Sequence, residues 1–482
     1  MGQKQNSIAI ALLSGLAVLG LGGYGLCLAG KTASSLSASD LAQGVVPSPK
    51  PTPHVIVEPQ SVRALPGQLD TVPMFNSNSP EWVKTEGILL STLPPGGKTT
   101  PAAHLNFPFQ GRFDLFVHHQ THEPKDLQTF YLGVMLHNPS PQPIKVDVLQ
   151  AATYLTQEAP YIKLPTYVDN PNNTVYAGPG DRVVTDILQG KRQASFPAQL
   201  VIPPRQSRML LNHPMPVRGL EKPINGRSAY MRLSSSGQVY AASLIMFAKK
   251  NADGTDRAPN LAEWQALLDK GNLSGPRDKA PTPPEQTAGQ LIYGRVAGVA
   301  QGSRWQAQLS DRLGAKQLTI PASGQAVSYA ISTLRGGRLG TEQSQAAKML
   351  VRYPDTAYES HANYGVEYNL TLPLFNPTQQ SRKVALTLAT PLKEDRLSQG
   401  GLRFRQPPFD VPFFRGTVRL RYPDTQGQLK TRYVHLWHRM GQVLEPLESI
   451  TLPPNSSRSV QLDLIYPPDS VPPQVLTIKT ER

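Results

Sequence analysis

Apolar side chains recur at every second position through Phe130, Leu132, Val134 and Leu136, pause at Asn138-Pro139, and resume at Ile144, Val146 and Val148. Period-two alternation places one set of side chains on one face of a strand, so this stretch predicts two strands joined by a turn. The phrase returns at Tyr368, Leu370, Leu372 and Leu374, followed by Asn376-Pro377 and Lys383-Val384-Ala385-Leu386. Aligning the Asn-Pro pairs preserves the parity, and a slip of one residue would exchange core for solvent. A second phrase repeats in the same order: Ile202-Pro203-Pro204 with Ser207-Arg208, then Leu452-Pro453-Pro454 with Ser457-Arg458, with Leu200 and Leu210 matching Ile450 and Val460.

Further strands are predicted at Gly87–Leu90, Arg112–Val117, Gln199–Ile202 and Val239–Met246, separated by Pro, Gly and Asn. Short strands broken by turn residues are the signature of sandwiches and barrels. One helix is predicted over Leu261–Lys270. Asn260 caps it, Glu263 completes a capping box and Gly271 follows its end. Leu261, Trp264, Leu267 and Leu268 share its apolar face, which is expected to pack on a sheet. The expected fold is therefore all-β: two tandem, duplicated β-sandwich domains with one short connecting helix. The expected boundaries are 1–30 for a signal peptide or membrane anchor, 31–70 for a tether, 71–250 for the first sandwich, 251–290 for the helix and Pro-rich linker, and 291–482 for the second sandwich.

Composition agrees with strands and loops. Proline makes up 47 of 482 residues, about twice the ordinary share of roughly 5%, and proline is tolerated poorly inside helices. Lys4 followed by an uncharged apolar run from Ile8 to Ala29 reads as an export signal. The run is long enough to span a bilayer, so cleavage near Ala29 and retention as an anchor are both open. Membrane contact is expected only through that uncleaved segment. The single cysteine, Cys27, follows the bulky Leu26, which disfavours lipidation, and a chain cleaved near Ala29 has no disulfide. The Ser, Ala and Pro-rich stretch around Pro47–Pro53 is expected to form a stiff, extended tether.

Net charge is +14, and between Arg382 and Arg439 twelve basic residues face four acidic ones. In Thr417–Tyr422, Arg419 and Arg421 alternate with Val418 and Leu420; Arg403 and Arg405 flank Phe404, and Lys430 and Arg432 flank Thr431. These six basic residues are the candidate anion-binding face. For an exported chain the partner at hand is an anionic envelope polysaccharide or wall polymer rather than nucleic acid. Trp82, Trp305 and Trp437 are candidate platforms for stacking sugar rings, with burial in a core as the alternative.

Catalytic signals are weak. The chain has no Gly-x-Ser-x-Gly elbow, zincin helix, phosphate loop or dinucleotide fingerprint. His118, His119 and His122 cluster, and His435 and His438 form a spaced pair, but strand geometry sends that pair to opposite faces. No metal or cofactor is expected. Gly178-Pro179-Gly180-Asp181 and Gly336-Gly337 read as turns. Glu158, Asp169, Asp181, Asp186, Glu359 and Glu367 are available for a carboxylate pair, so a carbohydrate-active hydrolase is the alternative to a non-enzymatic binding or structural role at the cell envelope.

Several phrases carry a resemblance: Pro80–Gly87, His104–Phe113, Tyr293–Ala300, Met349–Tyr358 and Phe413–Val418. The chain resembles an uncharacterised family of exported cyanobacterial proteins, of the domain-of-unknown-function 3370 type. The resemblance spans nearly everything after the tether. It implies an envelope or extracellular location and supplies no catalytic residues.

Overall fold

The computed structural model describes residues 52–286, 288–312 and 314–482. The apolar run, Cys27 and the tether through Pro51 lie outside the described residues. The fold is all-β, with two α-helices among the described residues.

The longest strand among the described residues, Ile224–Phe247, spans 24 residues, far beyond the usual five or six. Its first part pairs with Phe109–His122 and Ile144–Leu155, and its last part pairs with Phe130–His137 and Gly87–Ser91. The exchange of partners occurs where the register breaks between Ser235 and Val239. There Ser235 Oγ donates to Gly237 O at 2.7 Å. A Cβ on Gly237 would stand 2.8 Å from Ile144, so glycine permits the close passage. A break of this kind bends a strand and lets it serve two layers.

Both Asn-Pro turns are built with the same bonds. Asn138 Nδ2 donates to the carbonyls of Gln142, Ile202 and Pro203, and Asn376 Nδ2 donates to those of Gln380, Leu452 and Pro453. Each Asn Oδ1 accepts the backbone N–H and hydroxyl of the residue two positions on, Ser140 or Thr378. The flanking registers match as well, Val146 facing Leu200 and Val384 facing Ile450. Their surroundings differ. Phe130–His137 lies between two antiparallel partners, whereas Glu367–Asn376 has an antiparallel partner on one side and the parallel strand Arg304–Gln308 on the other.

The alternating residues are buried as expected: Phe130, Leu132, Val134 and Leu136 enter one core, and Tyr368, Leu370, Leu372 and Leu374 another. The other face of the first strand is covered by the helix Leu261–Lys270, with its capping box formed. Trp264 and Leu268 of that helix join Met135, Leu244 and Met246. Gly133 makes room, since a Cβ there would lie 3.0 Å from the Trp264 ring.

The expected separation at 251–290 does not divide the sheets. Pro73–Asn78 pairs with Phe109–His122 on one side and with Val296–Gln301 on the other. Tyr167–Asp169 extends the sheet containing Leu429–Arg439. Residues 54–482 form one compact unit. The tether expectation is also corrected for residues 54–69. His54–Pro59 pairs with Gly401–Gln406, Ser61–Arg63 with Ala326–Ile331, and Gln68–Leu69 with Arg304–Gln308, three pairings in three different sheets. Val55, Val57 and the other strand-forming side chains here outweigh the proline content as soon as edges are offered to them.

Gly178–Asp181, expected as a turn, instead opens a second helix, Pro179–Leu188, with Gly178 at the cap and Pro179 in the first turn. Val183, Val184, Ile187 and Leu188 are buried. The helix packs against Ile144–Leu155 and Ile224–Phe247 of one sheet and Pro412–Pro423 and Ser456–Ile465 of another. It wedges the two sheets together. Its apolar side chains form one stripe, but Asp181, Thr185 and Asp186 are buried as well, so cover on the remaining sides is legible only once both sheets are known.

Candidate functional site

The parity of the arginine row is as read: Val418 and Leu420 are fully buried while Arg419 and Arg421 point the other way. The row's charge, however, is matched from within. Arg419 and Arg421 each lie 3.0 Å from the same Asp463 oxygen. Arg432 bridges Asp169 at 2.8 Å and Glu448 at 2.6 Å, and Arg403 meets Glu394 at 2.9 Å. Arg405 donates to Pro407 O and covers the Phe409 ring, and Lys430 lies over Tyr422. Asp463, Glu448 and Asp169 lie outside the basic stretch Arg382–Arg439. Nor do the six residues form one face, because Arg403 and Arg405 belong to the small sheet with His54–Pro59 and the other four to a different sheet.

Asp463 is one end of a longer polar chain. Asn369 donates to Asp463 and to Glu367, which pairs with Arg304 and Arg232; Arg232 lies 3.5 Å from Asp114, and Asp114 accepts from Arg112 and Tyr230. Burial raises the free-energy cost of each charge, and the pairing offsets it. Sequence reading missed this network because its members lie on strands far apart in the chain.

Two of the three candidate sugar-stacking tryptophans are core residues. Trp305 is 5% exposed, donates to Pro66 O at 2.9 Å and stacks near Tyr368; Trp437 is 8% exposed. Only Trp82 is half-buried, its ring centroid 4.3 Å from that of His122. The histidines are used singly: His118 with Ser228 at 2.7 Å, His119 with Ser77 at 2.9 Å, and His435 with Asp181 at 2.7 Å. Among the described residues no three metal-ligating side chains converge.

Two open concavities among the described residues are candidates for a ligand. The larger, about 490 Å³, is lined by Arg63, Arg312, Lys316, Ser310 and Tyr329. Arg63 Nη1 donates to Tyr329 OH at 3.2 Å, which donates onward to Ser310 O. No carboxylate stands among its described lining residues, and Arg312 and Lys316 have no side-chain partner among the described residues. The neighbouring Asp311 carboxylate is engaged by the backbone N–H and hydroxyl of Thr319. The smaller concavity, about 320 Å³, is lined by Tyr154, Glu158, Arg182, His213 and Arg227. Neither holds two facing carboxylates. No sequence motif marks either one, since each collects residues from several strands and loops.

Fold and clefts together define an all-β protein of packed sheets with two concavities in which the cationic lining residues outnumber the anionic ones. A family model described as protein of unknown function (DUF3370) matches residues 60–480, and the chain belongs to that family. The matched span runs through both halves of the shared sheets. No curated protein matches the chain.

Proposed function

We propose that the protein is an exported, non-catalytic binding protein whose partner is an anionic envelope polysaccharide or wall polymer, held at the cleft of Arg63, Arg312 and Lys316. The observation that carries this reading is three cations on one open concavity with no lining carboxylate among the described residues. Cations left without counter-charges create a positive potential that a polyanion neutralises. The arginine row is the weaker candidate, because Asp463, Glu448 and Asp169 already neutralise most of it. A hydrolase using a carboxylate pair gains no support from either concavity, and export rests on the apolar run from Ile8 to Ala29.

Retention on an alginate column tests the proposal. Wild type is expected to bind at 0.1 M salt and elute well before 1 M, as the Debye length falls from about 10 Å to about 3 Å. A variant carrying Arg63→Ser, Arg312→Ser and Lys316→Ser should elute earlier. Arg419→Ser with Arg421→Ser should lower stability and leave retention nearly unchanged. Equal retention of wild type and the cleft variant defeats the proposal.

A further inference from the structure

The smaller groove contains a cation whose charge is poorly matched. Arg227 has a side chain only 4% exposed. Its Nε and Nη2 donate to Pro214 O at 3.3 and 3.0 Å, and its Nη1 to Thr153 Oγ1 at 3.3 Å. All these acceptors are neutral. The nearest carboxylate, Glu158, stands 3.9 Å away with its side chain 51% exposed, and its Oε2 already accepts the Leu155 N–H at 2.6 Å. Burying a guanidinium against neutral acceptors and a distant, hydrated counter-ion leaves desolvation largely uncompensated.

A second guanidinium is fixed beside it. Arg182 lies 4.2 Å from the centroids of both the Tyr154 and Tyr176 rings, and its Nη1 donates to Glu158 O at 2.5 Å. Its Nε is buried without a partner, and it makes no ion pair among the described residues. His213 completes the wall with no side-chain hydrogen-bond partner among the described residues. Burial, and then Arg227, push its pKa below the usual value, so its ring is neutral at pH 7 and can donate or accept one bond.

We propose that this groove is a second binding site, taking a single hydroxylated monocarboxylate of the uronic-acid type. Two fixed guanidiniums against one carboxylate leave one positive charge, which matches a monoanion. The volume of about 320 Å³ is at the low end of ligand pockets, which run from about 300 to 1,000 Å³, and suits one sugar ring rather than a chain. Glu158 accepts from ligand hydroxyls and repels sulfate and phosphate, which carry more charge. The site is separate from the basic cleft and does not depend on it.

The experiment is ligand-observed NMR titration of the full chain with glucuronate, glucose and sulfate. Saturable binding is expected for glucuronate alone. Arg227→Gln should weaken it by about tenfold or more, as loss of one partner of a buried charge pair does. Because a buried change can impair folding, Glu158→Gln supplies the second arm. It removes the repulsion, so glucuronate should bind more tightly and sulfate should begin to bind, a gain that misfolding cannot imitate. Arg312→Ser with Lys316→Ser should leave glucuronate binding intact even where alginate retention is lost, which separates the two sites. The inference is overturned if glucuronate binds no better than glucose, or if Glu158→Gln leaves the preference between glucuronate and sulfate unchanged.

Discussion

Arg232 and Glu367, 135 residues apart in the chain, meet at 2.7 Å with side chains only 10% and 6% exposed. The first belongs to the 24-residue strand of the large sheet and the second to the strand that ends in the second Asn-Pro turn. Their contact is a charge-assisted bond between two sheets in a place water barely reaches.

Glu367→Ala should therefore cost about 3–5 kcal/mol, because Arg232 and Arg304 would lose their shared carboxylate. Burial raises the Glu367 pKa, but Arg232, Asn369 and Arg304 outweigh it and hold the group down at about 2. A depressed carboxyl pKa contributes stability that is complete above the ordinary value of 4.5 and is lost as pH falls toward 2. Urea unfolding at pH 7, 4 and 2.5 should show the wild-type advantage over Glu367→Ala shrinking across that interval.

A fragment beginning at residue 291 should not unfold cooperatively. It would lose Pro73–Asn78 beside Val296–Gln301, Tyr167–Asp169 beside Leu429–Arg439, and the helix Pro179–Leu188. Exposed edges and an uncovered apolar face remain. Circular dichroism during urea titration checks this; a sharp, single transition in the fragment would contradict it.

Gly133→Ala should destabilise the protein by about 1–3 kcal/mol through overpacking against Trp264. The added Cβ would stand 3.0 Å from the ring and 3.1 Å from Met209. Combining it with Trp264→Leu should cost less than the sum of the two single changes, measured as a double-mutant cycle of unfolding free energies.

His438 is fully buried, and neither ring nitrogen has a hydrogen-bond partner among the described residues. Burial, with a smaller contribution from His435, lowers its pKa to about 3. The unfolded chain takes up a proton below about 6.5 and the folded chain does not until about pH 3, so wild type loses stability as pH falls through that interval. His438→Phe removes this proton uptake. The variant should gain on wild type between pH 7.5 and pH 5, and a melting-temperature comparison at those two values reads the effect.

How much was legible in the chain follows from the range of each signal. The Asn138 and Asn376 turns and the Asn260 cap depend on residues a few positions apart, and they stand as read. The parity of Arg419 and Arg421 was readable for the same reason. Their neutralisation was not, because Asp463 reaches them only through strand pairing. Likewise Trp305 and Trp437 are ordinary aromatics until the sheets that cover them are placed, and no local signal could show that Arg182, His213 and Arg227 line one groove. The strands of residues 54–69 were obscured because prolines dominate the chain just before them, and their partners lie more than two hundred residues away.

Those three short strands have a mechanical consequence. Tension entering at His54 must first open the six-pair ladder with Gly401–Gln406 before it loads Ser61–Arg63, and both must give way before it reaches Gln68–Leu69. The ladders sit in three sheets, so they act in series and yield one at a time. A tug on this end of the fold is absorbed by successive small ruptures, the second and third of which draw Leu65 out of its core, before it reaches Pro73–Asn78 in the large sheet.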